Sequence, residues 1–322
     1  MSGITQAQKN PFVNSDSNKR YYTYDYYLRK TYGSKCAKLP LDAGFTCPNI
    51  DGTCGYGGCI YCSGRGSGDF APDSLLSITE QIRLQKKFYA HKWDVSHCIA
   101  YFQAHSNTYA PLQKLKECYE EALAADGIVG LNIATRADCL PSDVVEYLSS
   151  LAERTNLTVE LGLQSSNDST AERIHRGHNF ETFCKGFLSL RKANPNIHSC
   201  VHIIFGLPGE NDEMMMQTVK DVASLHPEQV KIHLLHILKH TALAREYQSG
   251  AYVPLERERY ISLVVRALEL LPKDIVIARL TGDGKAEDLL APLWSQRKTT
   301  VINDIDKLLY QTDSWQGKYA RE

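Results

Sequence analysis

The sequence predicts an α/β protein built on a partial, TIM-like (βα)6 barrel with a small C-terminal α/β extension. Short β-branched apolar runs alternate with amphipathic segments of helical period through the middle of the chain. Most strand-to-strand steps take about thirty residues, the length of a βαβ unit. Each apolar run is nearly continuous, as expected of parallel strands buried on both faces.

The first strand is placed at residues 38–45 and runs straight into a cysteine-rich loop. Five more follow at 98–103, 128–135, 157–163, 199–205 and 229–235, with helices at 112–124, 142–152, 180–191 and 214–225 between them. In such barrels the chemistry gathers in the loops at the carboxyl ends of the strands. Those ends are polar or glycine-rich here: Gln103 to Thr108, Thr135 to Asp138, Gly162 to Ser165, and Gly206 to Glu210. Any one of them reads as an ordinary capped turn; together, opposite a cysteine loop, they read as a site.

In that loop Cys47 is followed after eleven residues by Cys59 and after two more by Cys62. Three thiolates framed by Gly44, Gly52, Gly55, Gly57 and Gly58 can converge on an iron-sulfur cluster, because residues without a Cβ take the tight turns cheaply. Three ligands leave one iron open to a substrate or cosubstrate. Cys54 lies inside the same loop and could instead complete a four-cysteine zinc site, although zinc ribbons usually pair two Cys-x-x-Cys knuckles and only one is present.

Composition narrows the function classes. The 322 residues are 43% hydrophobic with a net charge of −1, enough apolar material for a large core and no global field for nucleic acid or an anionic membrane. Any RNA contact must be a local patch. No apolar run reaches membrane-spanning length, and residues 1–18 lack the apolar stretch of a secretory signal, so a cytoplasmic location is expected. Ten scattered cysteines fit reduced thiols better than a disulfide framework.

Three segments are expected: a polar N-terminal tail (1–20), a core (21–245) carrying the cysteine loop 47–62, and a C-terminal extension (246–322). Within the extension, 246–252 reads as a polar turn, 254–271 as an amphipathic helix and 274–280 as a last apolar strand. Asp283, Lys285 and Lys298 in its loops are either substrate contacts or surface charges. Between Tyr21 and Tyr32 there are six tyrosines, with Lys19, Arg20, Arg29 and Lys30 close by. This stretch is either an RNA-stacking surface or an amphipathic helix burying its aromatic face.

Five ordered stretches carry a resemblance that spans nearly the whole chain. They are residues 38–62, with Gly57-Gly58-Cys59-Ile60-Tyr61-Cys62 at their end; 101–111; 160–178, with Glu-Leu-Gly-Leu-Gln-Ser and Arg-Ile-His-Arg-Gly-His; 206–210; and 279–295. They resemble a radical S-adenosylmethionine (SAM) family of short bacterial proteins, the YhcC/YtqA type, similar in its radical SAM domain to the catalytic subunit of the elongator complex. The resemblance implies a radical SAM core with a 4Fe-4S cluster on Cys47, Cys59 and Cys62, and SAM chelating the open iron. Reductive cleavage of SAM would then give a 5'-deoxyadenosyl radical that takes hydrogen from a substrate.

By position, Tyr61 would pack on adenine, the Gln103 to Thr108 segment with Ser106 and Asn107 would approach the SAM amino group, and Glu160 the ribose hydroxyls. Arg176 or Arg173 would hold the carboxylate, Gly206 to Pro208 would meet adenine, and the strand-end residues Thr135 and Gln164 would complete the cofactor contacts. A carboxylate suits a diol and an arginine suits a carboxylate because each makes two charge-assisted hydrogen bonds. Tyrosines interleaved with basic residues and the resemblance together make tRNA, modified at a wobble uridine, the expected substrate, with a flavodoxin or ferredoxin as electron donor. A small metabolite, a protein side chain, or a zinc-stabilised RNA-binding scaffold without turnover are the alternatives. The sequence departs from the family pattern at Cys54 and at Lys239-His240-Thr241, where a glycine before the threonine is usual; His240 reads as a substrate contact or a tolerated loop residue.

Overall fold

The computed structural model describes residues 10–282 and 284–320. In chain order its elements are α1 (Tyr24–Tyr32), β1 (Ala37–Leu41), α2 (Ile78–Tyr89), β2 (Cys98–Phe102), α3 (Leu112–Ala124), β3 (Ile128–Thr135), α4 (Ser142–Ala152), β4 (Asn156–Gln164), α5 (Asp168–Arg173), α6 (Phe180–Ala193), β5 (Ile197–Phe205), α7 (Asp212–Leu225), β6 (Gln229–Leu234), β7 (Ile237–Leu238), α8 (Ala242–Gln248), α9 (Arg257–Leu270), β8 (Val276–Arg279), β9 (Leu289–Ala291) and α10 (Lys298–Gln311). No helix among the described residues is long and apolar enough to cross a membrane.

The six expected strands pair in parallel in sequence order, and β8 joins beside β6 as a seventh, giving β1-β2-β3-β4-β5-β6-β8 curled into a half-barrel. The extension therefore prolongs the sheet by one strand. Residues 22 and 23 run along the outer edge of β8, where the Tyr22 carbonyl accepts from Ile277 N at 2.8 Å, and α1 leads from there to β1. The first strand stops earlier than predicted, at Leu41. The Asp42 carboxylate accepts from Gly44 N at 2.9 Å, and Gly44 takes φ +71, a turn a side chain would oppose. Part of the 246–252 turn is helical as the end of α8, and α2, α5, α10 and the antiparallel β7–β9 ribbon are additions that periodicity did not predict.

Local chemistry starts the helices. Ser77 caps α2 by accepting from Glu80 N, while Asn179 and Asn211 cap α6 and α7 in the same way. The main core lies between the convex face of the sheet and the helices, with Leu39, Phe102, Leu131, Leu161, Phe183 and Tyr260 fully buried. Three tyrosines of α1 also turn inward: with Leu28, Tyr24, Tyr27 and Tyr32 pack on Cys36, Ile99 and Val129, and the Tyr27 hydroxyl meets His198 Nδ1 at 3.2 Å. Of the two readings of this segment, the packed amphipathic helix is the one observed.

Candidate active site at the mouth of the half-barrel

The loop after β1 is folded by its own backbone. Cys47 carbonyl accepts from Ile50 N at 2.8 Å, Cys59 carbonyl from Cys62 N at 3.0 Å, and Gly57 and Gly58 both take φ near the left-handed region, at +78 and +76. Neighbouring elements pin it: Ile60 N donates to the Ile174 carbonyl at the end of α5, and Leu243 N of α8 donates to the Ile60 carbonyl. Asn49 spans the loop, donating to Cys59 Sγ at 3.6 Å and to the His175 carbonyl at 2.5 Å. Tyr61 leans on a second apolar cluster made of Ile60, Ile174, Ile204, Leu207 and Leu243.

Cys47, Cys59 and Cys62 all line one cavity of about 150 Å³, together with Tyr61, Gln103, Ser106, Thr135, Gln164 and Arg176. Cys54 does not. It is exposed and borders a separate surface depression, apart from the three cysteines that line the cavity. Around the sulfurs the field is positive. A hydrogen bond from Cys62, against the effect of burial, and the charge of Arg176 hold the Cys59 thiol down to about 5, with Tyr61 and Arg136 adding to it. Arg136 is fixed by two bonds to Asp138, at 2.9 and 2.7 Å, and donates to the Arg176 carbonyl at 2.8 Å. Arg176 donates to the Gly162 carbonyl, while its buried Nε has no hydrogen-bond partner among the described residues. A buried guanidinium donor left open beside three thiols is the feature a carboxylate ligand would satisfy.

The other expected contacts divide. Arg173 is exposed and pairs with Glu246 at 2.5 Å, so Arg176 is the arginine that reaches the cavity. Asn107 is buried but spends its amide on the carbonyls of Phe102, Ala104 and Ala134, tying the β2 loop to β3. Gly206 gives its carbonyl to the Tyr252 hydroxyl, and neither it nor Pro208 lines the cavity. Gln164 stands at φ +75, a strained conformation for a side-chain residue and one that is common at functional sites. His240, Lys285 and Lys298 lie away from the cavity, and Asp283 lies outside the described residues.

Glu160 is the hub of the cavity floor. Its carboxylate receives Asn132 Nδ2 at 2.8 Å, the Tyr101 hydroxyl at 2.8 Å, His202 Nε2 at 2.9 Å and the ammonium groups of Lys38 and Lys231. Burial alone would raise this carboxyl, but the two lysines and His202 hold it well below the ordinary value. Burial and then Lys231 push His202 down to about 4, so the imidazole is neutral and its Nε2–H is the donor. Glu160 thus has five protein partners where the sequence reading left it open for a ribose. The lysines, Tyr101, Asn132, His202 and the cavity-lining Arg279 are the residues that reading missed.

The Radical SAM superfamily matches residues 50–222, more than half of the chain. The chain belongs to the radical SAM superfamily. The Radical_SAM C-terminal domain matches residues 227–311 of this radical SAM protein. It is 46% identical to the uncharacterized protein YtqA of Bacillus subtilis, over 97% of this chain and 96% of YtqA. A more distant relative, the tRNA uridine(34) acetyltransferase of Dehalococcoides mccartyi, is 26% identical over 48% of this chain and 33% of its own length. Among solved structures, archaeal Elp3 of Methanocaldococcus infernus shares the fold with a TM-score of 0.67 at 17% identity; the match covers 87% of this chain and 64% of that one. The cofactors of the superfamily are a 4Fe-4S cluster and SAM, and the donor set fits them: three thiols and no fourth cysteine among the described residues that line the cavity, with Arg176 Nε open beside them.

Proposed function

We propose that this radical SAM protein cleaves SAM reductively at the cysteine cavity and uses the resulting radical to modify tRNA at the wobble uridine. The observation that carries the chemistry is the gathering of Cys47, Cys59 and Cys62 on one cavity wall with Arg176 while Cys54 faces away. Cys47, Cys59 and Cys62 would hold the cluster, whose chemistry when bound would be one-electron reduction of the SAM sulfonium, the route to hydrogen abstraction. The protein's own residues position and shield. Arg176 Nε would meet the SAM carboxylate, the glycine turns would let backbone approach the cluster, and the apolar cluster beneath Tyr61 would keep water out. A flavodoxin or ferredoxin is the electron donor that suits this chemistry.

The tRNA reading is supported by the relative named as acting on tRNA uridine 34 and by the fold shared with Elp3. Acetyl transfer is not carried over, because the match covers only a third of that relative's length. Mass spectrometry of tRNA nucleosides from cells lacking the protein tests the substrate. A modified uridine nucleoside should disappear, return with the wild type and stay absent with Cys59→Ala. An unchanged nucleoside profile would contradict the reading and direct the search to a small metabolite or a protein side chain.

A further inference from the structure

The half-barrel is open between its edge strands β1 and β8, and a groove runs in through this opening. Its outer walls come from α1, from α2 with the turn after it, and from β1 and β8. Three large aromatics are exposed on this face: Phe88 at 65%, Phe70 at 44% and Trp93 at 39%. An apolar gathering of that kind on a soluble surface marks a binding region. Trp93 is pre-positioned, its ring parallel to Tyr89 at 5.1 Å between centroids, with the Lys35 ammonium 5.1 Å from its own centroid. The groove carries charge at its rim and at its inner end. Lys35 lines its rim opposite Asp25, which binds Arg29, and Lys38, Lys231 and Arg279 line its inner end, where Lys38 and Lys231 pair with Glu160.

Inward, the groove shares Tyr101, Gln103, Lys231 and Arg279 with the cysteine cavity. It also reaches, past Phe70, an adjoining chamber that carries His233 and His236. Each of these imidazoles has a buried Nε2 with no hydrogen-bond partner among the described residues. Burial keeps both neutral, with His236 pushed down to about 4. A neutral imidazole nitrogen offers a single donor or acceptor, the kind of group that reads the edge of a base.

We infer that the groove between β1 and β8 admits one unstacked nucleotide of a single-stranded RNA loop, with its base passing the Trp93 and Phe88 rings toward His233 and His236 and its phosphates held at the rim by Lys35. Aromatic faces suit any base, cations suit the backbone, and single-stranded loops are where bases can be splayed out for a protein. A lipid would meet the polar network of Lys38, Lys231 and Glu160 at the inner end, and an apolar peptide would leave the two imidazole nitrogens unsatisfied. The inference rests on the tRNA reading and names the surface that would serve it.

Fluorescence anisotropy of a labelled anticodon stem-loop RNA with a wobble uridine, titrated with anaerobically reconstituted protein, tests it. Trp93→Ala and Phe88→Ala should each weaken binding about tenfold or more, the usual worth of a stacking platform. Trp93→Phe should keep most of the affinity. Lys35→Ala should lower the slope of log affinity against log salt by about one. Tyr319→Ala, an aromatic 59% exposed outside the groove, should bind like the wild type. If the wild type binds and the groove variants bind equally well, the groove is not the entrance, and the tRNA reading stands. If the wild type binds no RNA and modifies none, the tRNA reading fails and this inference with it.

Discussion

Cys59→Ala or Cys62→Ala is expected to abolish cluster incorporation, while Cys54→Ala leaves it at the wild-type level of about four irons and four sulfides per chain. The asymmetry follows from placement. Cys47, Cys59 and Cys62 line the cavity, whereas Cys54 is exposed on another face although it is nearer in sequence to Cys59 than Cys47 is. The loss should be all or none, because two thiolates hold a cubane poorly and the surrounding arginines supply charge but no ligand atom. Iron and labile-sulfide assays after anaerobic reconstitution, with the charge-transfer absorbance of the cluster, read the result. Equal loss in Cys54→Ala would overturn the ligand assignment and return Cys54 to a metal site.

Glu160→Gln is the second large effect. The carboxylate is fully buried and compensates two ammonium groups, Lys38 and Lys231. Removing one side of a buried charge network leaves the other unpaired, at about 3–5 kcal/mol. For a chain of this size that is a fall in melting midpoint on the order of 10 °C. Adding Lys231→Gln should recover part of the loss, since it removes one stranded ammonium; a midpoint within a degree or two of the wild type would contradict the network account. pH gives a second reading. Because the folded carboxyl sits well below its ordinary value of 4.5, its contribution is present above that value and is lost as pH falls toward the folded pKa. Wild-type stability should therefore drop more steeply than the variant's on acidification below about pH 4.5.

Much of this was legible before folding was considered. The period of the apolar runs located the core strands and the last apolar strand, and the cysteine spacing singled out the loop that the structure places at the mouth of the half-barrel. What was not legible is the floor. Each of the seven strands contributes one residue to it: Lys38, Tyr101, Asn132, Glu160, His202, Lys231 and Arg279. Read singly, only Glu160 attracted notice. Their convergence depends on register, in which Tyr101 pairs with Asn132, and His202 with Lys231, itself paired with Arg279. Irregularities at Cys98/Ile99, Gly162/Gln164 and Val230/Lys231 break simple alternation, so counting by twos along one strand does not reveal which residues face inward together. Gly206 was misread for a different reason. Its carbonyl is claimed by Tyr252, forty-six residues downstream, through a contact that only the docking of the loop after α8 creates.

The central claim is that the three cysteines build a centre that cleaves SAM. The most direct measurement is mass-spectrometric detection of 5'-deoxyadenosine after anaerobic reconstitution with iron and sulfide, reduction with dithionite and addition of SAM. The account predicts 5'-deoxyadenosine from the wild type and none from Cys59→Ala. A wild-type protein that binds a full cluster and forms no 5'-deoxyadenosine would contradict it.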